Sequence, residues 1–204
     1  MLNAQEALER LKEGNRRFIQ HLRSTEVLMS QLRRGELVKG QKPFAIVLGC
    51  SDSRVPAELV FDQGLGDLFV IRVAGNIVAP SQVGSVEFAA EAFGTRLVVV
   101  MGHTLCGAID ATLAAIENPG VPRSPNLASI VDRIRPAIEG LVNTGLVQER
   151  ERLIQEAMRA NVRASVKHLR YGSAILEKMV LEGGMHVVGA EYHLESGEVV
   201  FFDL

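Results

Sequence analysis

Phe44-Ala45-Ile46-Val47-Leu48-Gly49 is an unbroken run of apolar residues and glycine, and it ends on Cys50-Ser51-Asp52-Ser53-Arg54. A strand with one face in water alternates apolar and polar residues, whereas a strand buried on both faces reads as a continuous apolar run. Strands of the second kind occur in parallel sheets that helices cover on both sides. The run therefore predicts a central strand of an α/β sheet, and the polar residues after it mark its carboxyl end.

Two more apolar runs end in a similar way. Leu97-Val98-Val99-Val100-Met101-Gly102 leads into His103-Thr104-Leu105-Cys106-Gly107, and the run at 68–73, expected to be a second buried strand, leads into Ala74-Gly75-Asn76. A last strand at 186–194 turns into a hairpin partner at 199–202. The pattern predicts helices at 55–61, 85–93, 107–117, 127–142 and 147–181, with a loop at 118–126. Strands that alternate with helices predict an α/β fold with a mostly parallel β-sheet core flanked by helices and an edge strand in a hairpin.

An amphipathic helix is predicted ahead of this core, over residues 3–22. Asn3 and Glu6 have the spacing of a capping box at its start. Its apolar residues fall near one face; they are Leu8, Leu11, Phe18 and Leu22. A lone amphipathic helix must bury this stripe, and a partner subunit offers a surface for it. We therefore expect residues 1–40 to form an N-terminal helical arm that packs on a partner subunit, and residues 41–204 to form the α/β domain.

Composition excludes several classes of protein. The chain has 204 residues and a formal net charge of -2, so it carries no overall basic field that would indicate nucleic-acid binding. No apolar stretch reaches the roughly 18 residues that a membrane span needs. The first residues lack the basic and apolar blocks of a signal peptide, so we expect a cytoplasmic protein. Two cysteines do not make a disulfide framework.

Those two cysteines both lie just beyond predicted strands. In parallel α/β sheets ligands bind beyond the carboxyl ends of the strands, where Cys50, His103 and Cys106 are expected to converge. Zinc takes thiolate and imidazole ligands; structural sites close with four ligands, whereas catalytic sites keep one position open. Three protein ligands therefore predict a catalytic zinc site. A single buried cysteine beside a strand is usually a packing residue, but two cysteines and a histidine at strand ends favour a metal site. Asp52 is either a fourth ligand or stands aside.

The residues Asp52 and Arg54 alternate with Cys50 along the chain. An arginine can hold a carboxylate through two parallel hydrogen bonds. Arg54 could thus keep Asp52 away from the metal, and Asp52 could then accept a hydrogen bond from a zinc-bound water and orient it. A surface ion pair of little energetic consequence is the other interpretation.

Taken together, Cys50-Ser51-Asp52-Ser53-Arg54 and His103-Thr104-Leu105-Cys106-Gly107 resemble the motifs of the β-class carbonic anhydrases, and of their plant-type subgroup most closely. The resemblance extends over nearly the whole chain and includes the stretches at 7–18 and 61–72. It implies one Zn2+ per subunit on Cys50, His103 and Cys106, gated by the pair of Asp52 and Arg54. It also implies a homodimer, or a multiple of dimers, with active sites at the interface. The implied reaction is the reversible hydration of CO2 to bicarbonate and a proton, by attack of zinc-bound hydroxide.

The resemblance also assigns residues to the substrate. Gln41 matches a glutamine that donates a hydrogen bond to substrate in the plant-type subgroup. Three apolar residues, Phe69, Ala74 and Phe88, match the lining of its CO2 pocket. Ala74 stands in place of the usual valine, and Phe88 stands in place of tyrosine. Val47 stands where a regulated subgroup, which holds bicarbonate in a non-catalytic pocket, has a tryptophan.

Two other functions fit the same residues. Carbonyl sulfide and carbon disulfide hydrolases resemble this family, use the same zinc ligands and act on linear apolar substrates. A structural zinc domain would instead keep Asp52 as a permanent fourth ligand and would hydrate no CO2.

Overall fold

The computed structural model describes residues 2–30, 32, 34–120, 124–144 and 149–202. Five strands form one sheet in the order β2-β1-β3-β4-β5, in which the first four are parallel and β5 is antiparallel to β4. The strands are β1 (Ala45–Gly49), β2 (Leu68–Arg72), β3 (Leu97–His103), β4 (His186–Tyr192) and β5 (Val199–Phe202). This confirms the predicted α/β fold with a mostly parallel sheet and a terminal hairpin.

The central strands are buried on both faces, as their continuous apolar runs predict. Every residue of β1 and β3 is buried. The side chains of Ile46 and Leu48 enter one apolar core, and those of Ala45 and Val47 enter a second core on the other face. Successive side chains of a strand point to opposite faces, so one apolar run supplies two cores at once.

Strand β2 is less buried than predicted. Phe69 and Val70 are only half-buried in the chain, and the backbone of β2 pairs with β1 alone. The expectation of a second fully buried strand is wrong because β2 lies at the edge of the sheet. An apolar edge strand leaves both side chains and backbone groups available to another chain.

Helices cover both faces of the sheet. The longer helices are α1 (Ala4–Ile19), α5 (Pro80–Ala92), α6 (Gly107–Glu117), α7 (Pro125–Ile138), α8 (Arg150–Tyr171) and α9 (Ala174–Leu181). Three shorter ones are α2 (Thr25–Ser30), α3 (Arg34–Leu37) and α4 (Ala57–Val60), and single 3-10 turns lie at Ala74–Asn76 and Glu139–Asn143. Helices α5 to α9 pack on the core of Ile46 and Leu48, and α1 and α4 pack on the opposite one. No helix among the residues described is long and apolar enough to cross a membrane.

Most helix boundaries agree with the sequence. Helix α6 has the predicted limits, and the helical segment predicted at 147–181 divides at Gly172 into α8 and α9. Helix α5 begins five residues early, at Pro80, whose fixed φ suits the first turn of a helix. Helices α2 and α3 were not predicted. Residues 121–123 of the predicted loop and 147–148 of the predicted last helical segment lie outside the described residues, as do 1, 31 and 33 of the arm.

Helix α1 docks on its own chain. Asn3 and Glu6 form the predicted capping box, and Leu11 is buried against the sheet. The amide of Asn15, also buried, donates to the carbonyls of Val60 and Gly197 at 3.1 and 2.8 Å and accepts from the amide of Val199 at 2.9 Å. The helix thereby ties α4 to the terminal hairpin. Apolar residues that remain exposed at the end of the arm include Leu22, Leu28, Met29 and Leu32, and their packing on a partner stays a prediction.

Replacing Asn15 by alanine should destabilise the fold. The change leaves three buried backbone groups without their partner, and each costs about 1–3 kcal/mol when unpaired. We expect the free energy of unfolding, measured by urea denaturation, to fall by about 3 kcal/mol. Gln5→Ala is the matched control on the same helix, because Gln5 is exposed and its side chain bonds Glu9, one turn along the same helix. Equal midpoints for the two variants would contradict the tethering role.

Candidate metal centre

Three buried side chains converge at the carboxyl end of the sheet. Cys50 follows β1, His103 ends β3, and Cys106 precedes α6 as its N-cap. One ligand atom from each lies within 4.8 Å of the other two. Strands β1 and β3 are parallel neighbours, paired at Gly49 and Met101, so the residues after them meet at one edge. The sequence-predicted trio is thus brought together.

The imidazole of His103 is prepared to give a lone pair to a metal ion. Its Nδ1 lies 2.9 Å from the carbonyl of Thr104, which can only accept, so Nδ1 carries the proton. The other nitrogen, Nε2, is buried and has no hydrogen-bond partner in the described part of the chain. An unpaired buried nitrogen is costly, and a metal ion removes that cost. Two thiolates and a neutral imidazole are a donor set that suits zinc.

The two thiols affect each other strongly. The hydrogen bond from Cys106 lowers the pKa of Cys50 to about 4, against the opposing effect of burial. The same bond, together with burial, raises the pKa of Cys106 well above its ordinary value. A dication that binds both sulfurs displaces their protons and gains two thiolate ligands.

Asp52 lies beside this trio but is held by Arg54. The guanidinium donates from Nε to Asp52 Oδ1 at 2.9 Å and from Nη2 to Oδ2 at 2.7 Å, and the amide of Arg54 also donates to Oδ1. These bonds keep the pKa of Asp52 well below its usual range, so the carboxylate is ionised. Its Oδ2 lies 4.0 Å from His103 Nε2. Asp52 is thus at the border of the ligand set with both oxygens engaged elsewhere.

Sequence reasoning missed the residues that hold the Cys50–Asp52 loop. Arg72, the last residue of β2, donates to the carbonyl of Cys50 at 3.1 Å and to that of Asp52 at 2.7 Å. The amide of Gly75 donates to the sulfur of Cys50 at 3.4 Å. A charged residue at the end of an apolar strand is a signal that could have pointed to Arg72. Nothing in the sequence singles out the amide of Gly75.

Of the four predicted substrate residues, Ala74 lies beside the trio, because the amide of the next residue, Gly75, contacts Cys50 Sγ. The other three do not gather there within one chain. Phe69 and Phe88 have ring centroids 6.2 Å apart on the edge of the sheet, and Phe88 is 56% exposed. Gln41 precedes β1 and lines a cavity of about 630 Å³ together with Arg10, Lys42 and Phe93. The five residues of β1 lie between Gln41 and Cys50 and at about 3.3 Å each span about 16 Å, so Gln41 is at the opposite end of the sheet.

Comparison with known proteins agrees with this geometry. A family model described as carbonic anhydrase matches residues 45–199. Carbonic anhydrase 2 of Mycobacterium tuberculosis is 37% identical over 199 residues, covering 97% of this chain and 92% of that protein. The carbonic anhydrase of Mycolicibacterium smegmatis is 38% identical, with 95% and 90% covered. The solved structure of the β-carbonic anhydrase CcaA superposes with a TM-score of 0.77 at 28% identity, covering 96% of this chain and 87% of that one.

The family model spans most of the chain, and Carbonic anhydrase 2 matches 97% of it. The solved structure has the same fold, and this chain carries the cysteine–histidine–cysteine trio described above. The chain therefore belongs to the β-carbonic anhydrases and is an enzyme of the lyase class.

Proposed function

We propose that the chain catalyses the reversible hydration of CO2 to bicarbonate and a proton, with one Zn2+ per subunit on Cys50, His103 and Cys106. The observation that carries the proposal is the buried trio itself, in which His103 Nε2 has no other partner. Zinc in this position supplies the Lewis acidity that makes a water molecule nucleophilic near neutral pH.

The carboxylate of Asp52 has the position to orient the reacting water. It is ionised, it lies at the border of the ligand set, and Arg54 fixes both of its oxygens. Oδ1 already accepts two hydrogen bonds from Arg54, whereas Oδ2 accepts one and keeps a lone pair that can accept a hydrogen bond from water. The contact with Arg54 also opposes a turn of Asp52 onto the metal, and this favours a catalytic site over a closed structural one. Arg72 holds the loop that carries both residues.

A second copy of the chain would complete the substrate pocket. Gln41 is too far from the trio of its own chain to touch a substrate there. The half-buried Phe69 lies on the edge strand β2 and contacts the exposed Phe88 of α5, so another chain can pack there. We therefore infer a homodimer, or a multiple of it, in which Gln41, Phe69 and Phe88 of one chain face the metal centre of the other. A cytoplasmic location and the arm at 1–40 stay predictions.

The pH dependence of hydration is the first test. Two thiolates give zinc more negative charge than imidazoles do. The pKa of a water bound there should therefore lie above the value of about 7 known for three-histidine sites. We expect kcat/KM of the zinc-loaded protein, measured by stopped flow from about pH 6.5 to about pH 9, to rise with pH. A flat profile would contradict the assigned metal chemistry. Carbon disulfide turnover without CO2 hydration would indicate a sulfur-substrate hydrolase instead.

Replacing Asp52 by asparagine should separate metal binding from turnover. Asparagine keeps the shape but carries no charge and loses its ionic contact with Arg54. We expect zinc content close to one per chain and a loss of kcat of at least about 100-fold, as is common for groups that handle protons. Asp132→Asn, on the exposed face of α7, is the control for the change in charge. Full activity in Asp52→Asn would show that Asp52 is not catalytic.

Mixed dimers test whether the pocket is shared. Chains with Asp52→Asn and chains with Gln41→Ala are co-expressed with different affinity tags, and dimers with both tags are isolated. If Gln41 serves the partner's metal, one site of the mixed dimer carries both substitutions and the other carries neither. About half of the wild-type activity should then return. A mixed dimer as inactive as its parents would place Gln41 and the metal in one chain's site.

A further inference from the structure

One hydrogen bond to the metal-ligating sulfur comes from a glycine turn. The 3-10 turn Ala74–Asn76 follows β2, and the amide of Gly75 donates to Cys50 Sγ at 3.4 Å. Gly75 has φ 67° and ψ 20°, in the left-handed region. Glycine enters this region easily but also leaves it easily, because it has no side chain to restrict rotation. The direction of this N–H therefore depends on what holds the turn from outside.

Helix α8 holds the turn through two side-chain hydrogen bonds to its carbonyls. The side-chain nitrogen of Asn161, Nδ2, donates to the carbonyl of Gly75 at 2.8 Å, and Asn161 is 2% exposed. One helical turn later, Ser165 donates to the carbonyl of Asn76 at 3.3 Å. The helix is a firm support because Met158 and Val162 pack against Gly102 of β3, at the base of the metal centre.

The remaining sides of the turn are closed by apolar side chains. A Cβ on Gly75 would lie 2.8 Å from Ile134 Cδ1 and 3.0 Å from Ala108 Cβ. These contacts exclude a side chain at Gly75 but provide no directional restraint. Asparagine is a poor residue for a helix interior, and its buried amide is costly unless it is bonded. The presence of Asn161 at the centre of α8 is accounted for by its bond to Gly75.

We propose that Asn161 is a positioning residue for the metal centre, which fixes Gly75 so that its N–H points at the sulfur of Cys50. The inference rests on the proposed function of Cys50 as a zinc ligand. An N–H bond to a thiolate draws charge away from the sulfur, so the thiolate gives less charge to the metal. Asn161 thus acts on the metal through two hydrogen bonds, without touching either the metal or the substrate.

The test compares Asn161→Leu with Ser165→Ala. Leucine has nearly the shape of asparagine but cannot bond Gly75. Ser165→Ala, on the same face of α8, removes the buried hydrogen bond to the carbonyl of Asn76, the residue after Gly75. Each protein is loaded with Co2+, whose thiolate charge-transfer band reports the charge on sulfur, and in parallel with Zn2+. We expect the band of Asn161→Leu to move to longer wavelength, because the sulfur keeps more charge. We also expect zinc to pass to a chelator about 10-fold faster, because a thiolate without this N–H takes up a proton and leaves the metal more readily; a change of this size is usual for lost outer-shell partners. Ser165→Ala should match the wild type in both.

Different results would overturn the proposal. Equal spectra and equal zinc release in the two variants, at comparable loss of thermal stability, would show that Asn161 serves packing alone. If Asn161→Leu does not fold, Asn161→Ala is measured in its place, against the same control and with the same two expectations. A wild-type cobalt protein without a thiolate band would remove Cys50 from the metal and this proposal with it, whereas normal cobalt spectra without CO2 hydration would contradict only the proposed reaction.

Discussion

The parallel pairing of β1 with β3 is the constraint on which the metal centre depends. Gly49 pairs with Met101. Cys50, just after β1, and His103, the last residue of β3, therefore lie at the same end of the sheet. Parallel strands need no shared turn, and the two segments are therefore distant in sequence and close in space. A slip of this register would turn every side chain of β1 to the other face and would separate the ligands. The apolar runs that fill both cores thus also fix the geometry of the site.

The polar groups around the trio each fix one part of the site. Thr104 sets the proton of His103, Arg54 holds Asp52, and Arg72 holds the backbone between Cys50 and Asp52. Each of these contacts is a hydrogen bond within the chain, whereas the buried His103 Nε2 has no hydrogen-bond partner among the described residues. A buried polar atom without a partner is costly, and a ring nitrogen of His103 lies within 4.8 Å of the sulfurs of Cys50 and Cys106, so Nε2 marks the point where the proposed cation would bind. The restraints converge on that point.

Sequence alone predicted the strands, most helices and the convergence of Cys50, His103 and Cys106, because strand ends and ligand chemistry can both be read from residue types. It did not predict the roles of Arg72 or of Asn161, since a buried polar residue in a helix looks like any other polar residue until its partner is known. The exposure of β2 was missed for a related reason. An apolar run shows that a strand is covered, but it does not tell whether the cover comes from the same chain.

That last distinction bears on why an enzyme of this fold would assemble. A parallel sheet places everything that follows its strands at one end and everything that precedes them at the other, so Cys50 and Gln41 are separated by the whole length of β1. No loop in the described part of the chain brings Gln41 back to the trio. A site that needs both must take them from two chains, and the open apolar edge of β2 beside Phe69 and Phe88 offers the surface for it. In the proposed dimer, assembly is thus a requirement of the chemistry that follows from strand direction, rather than an addition to stability.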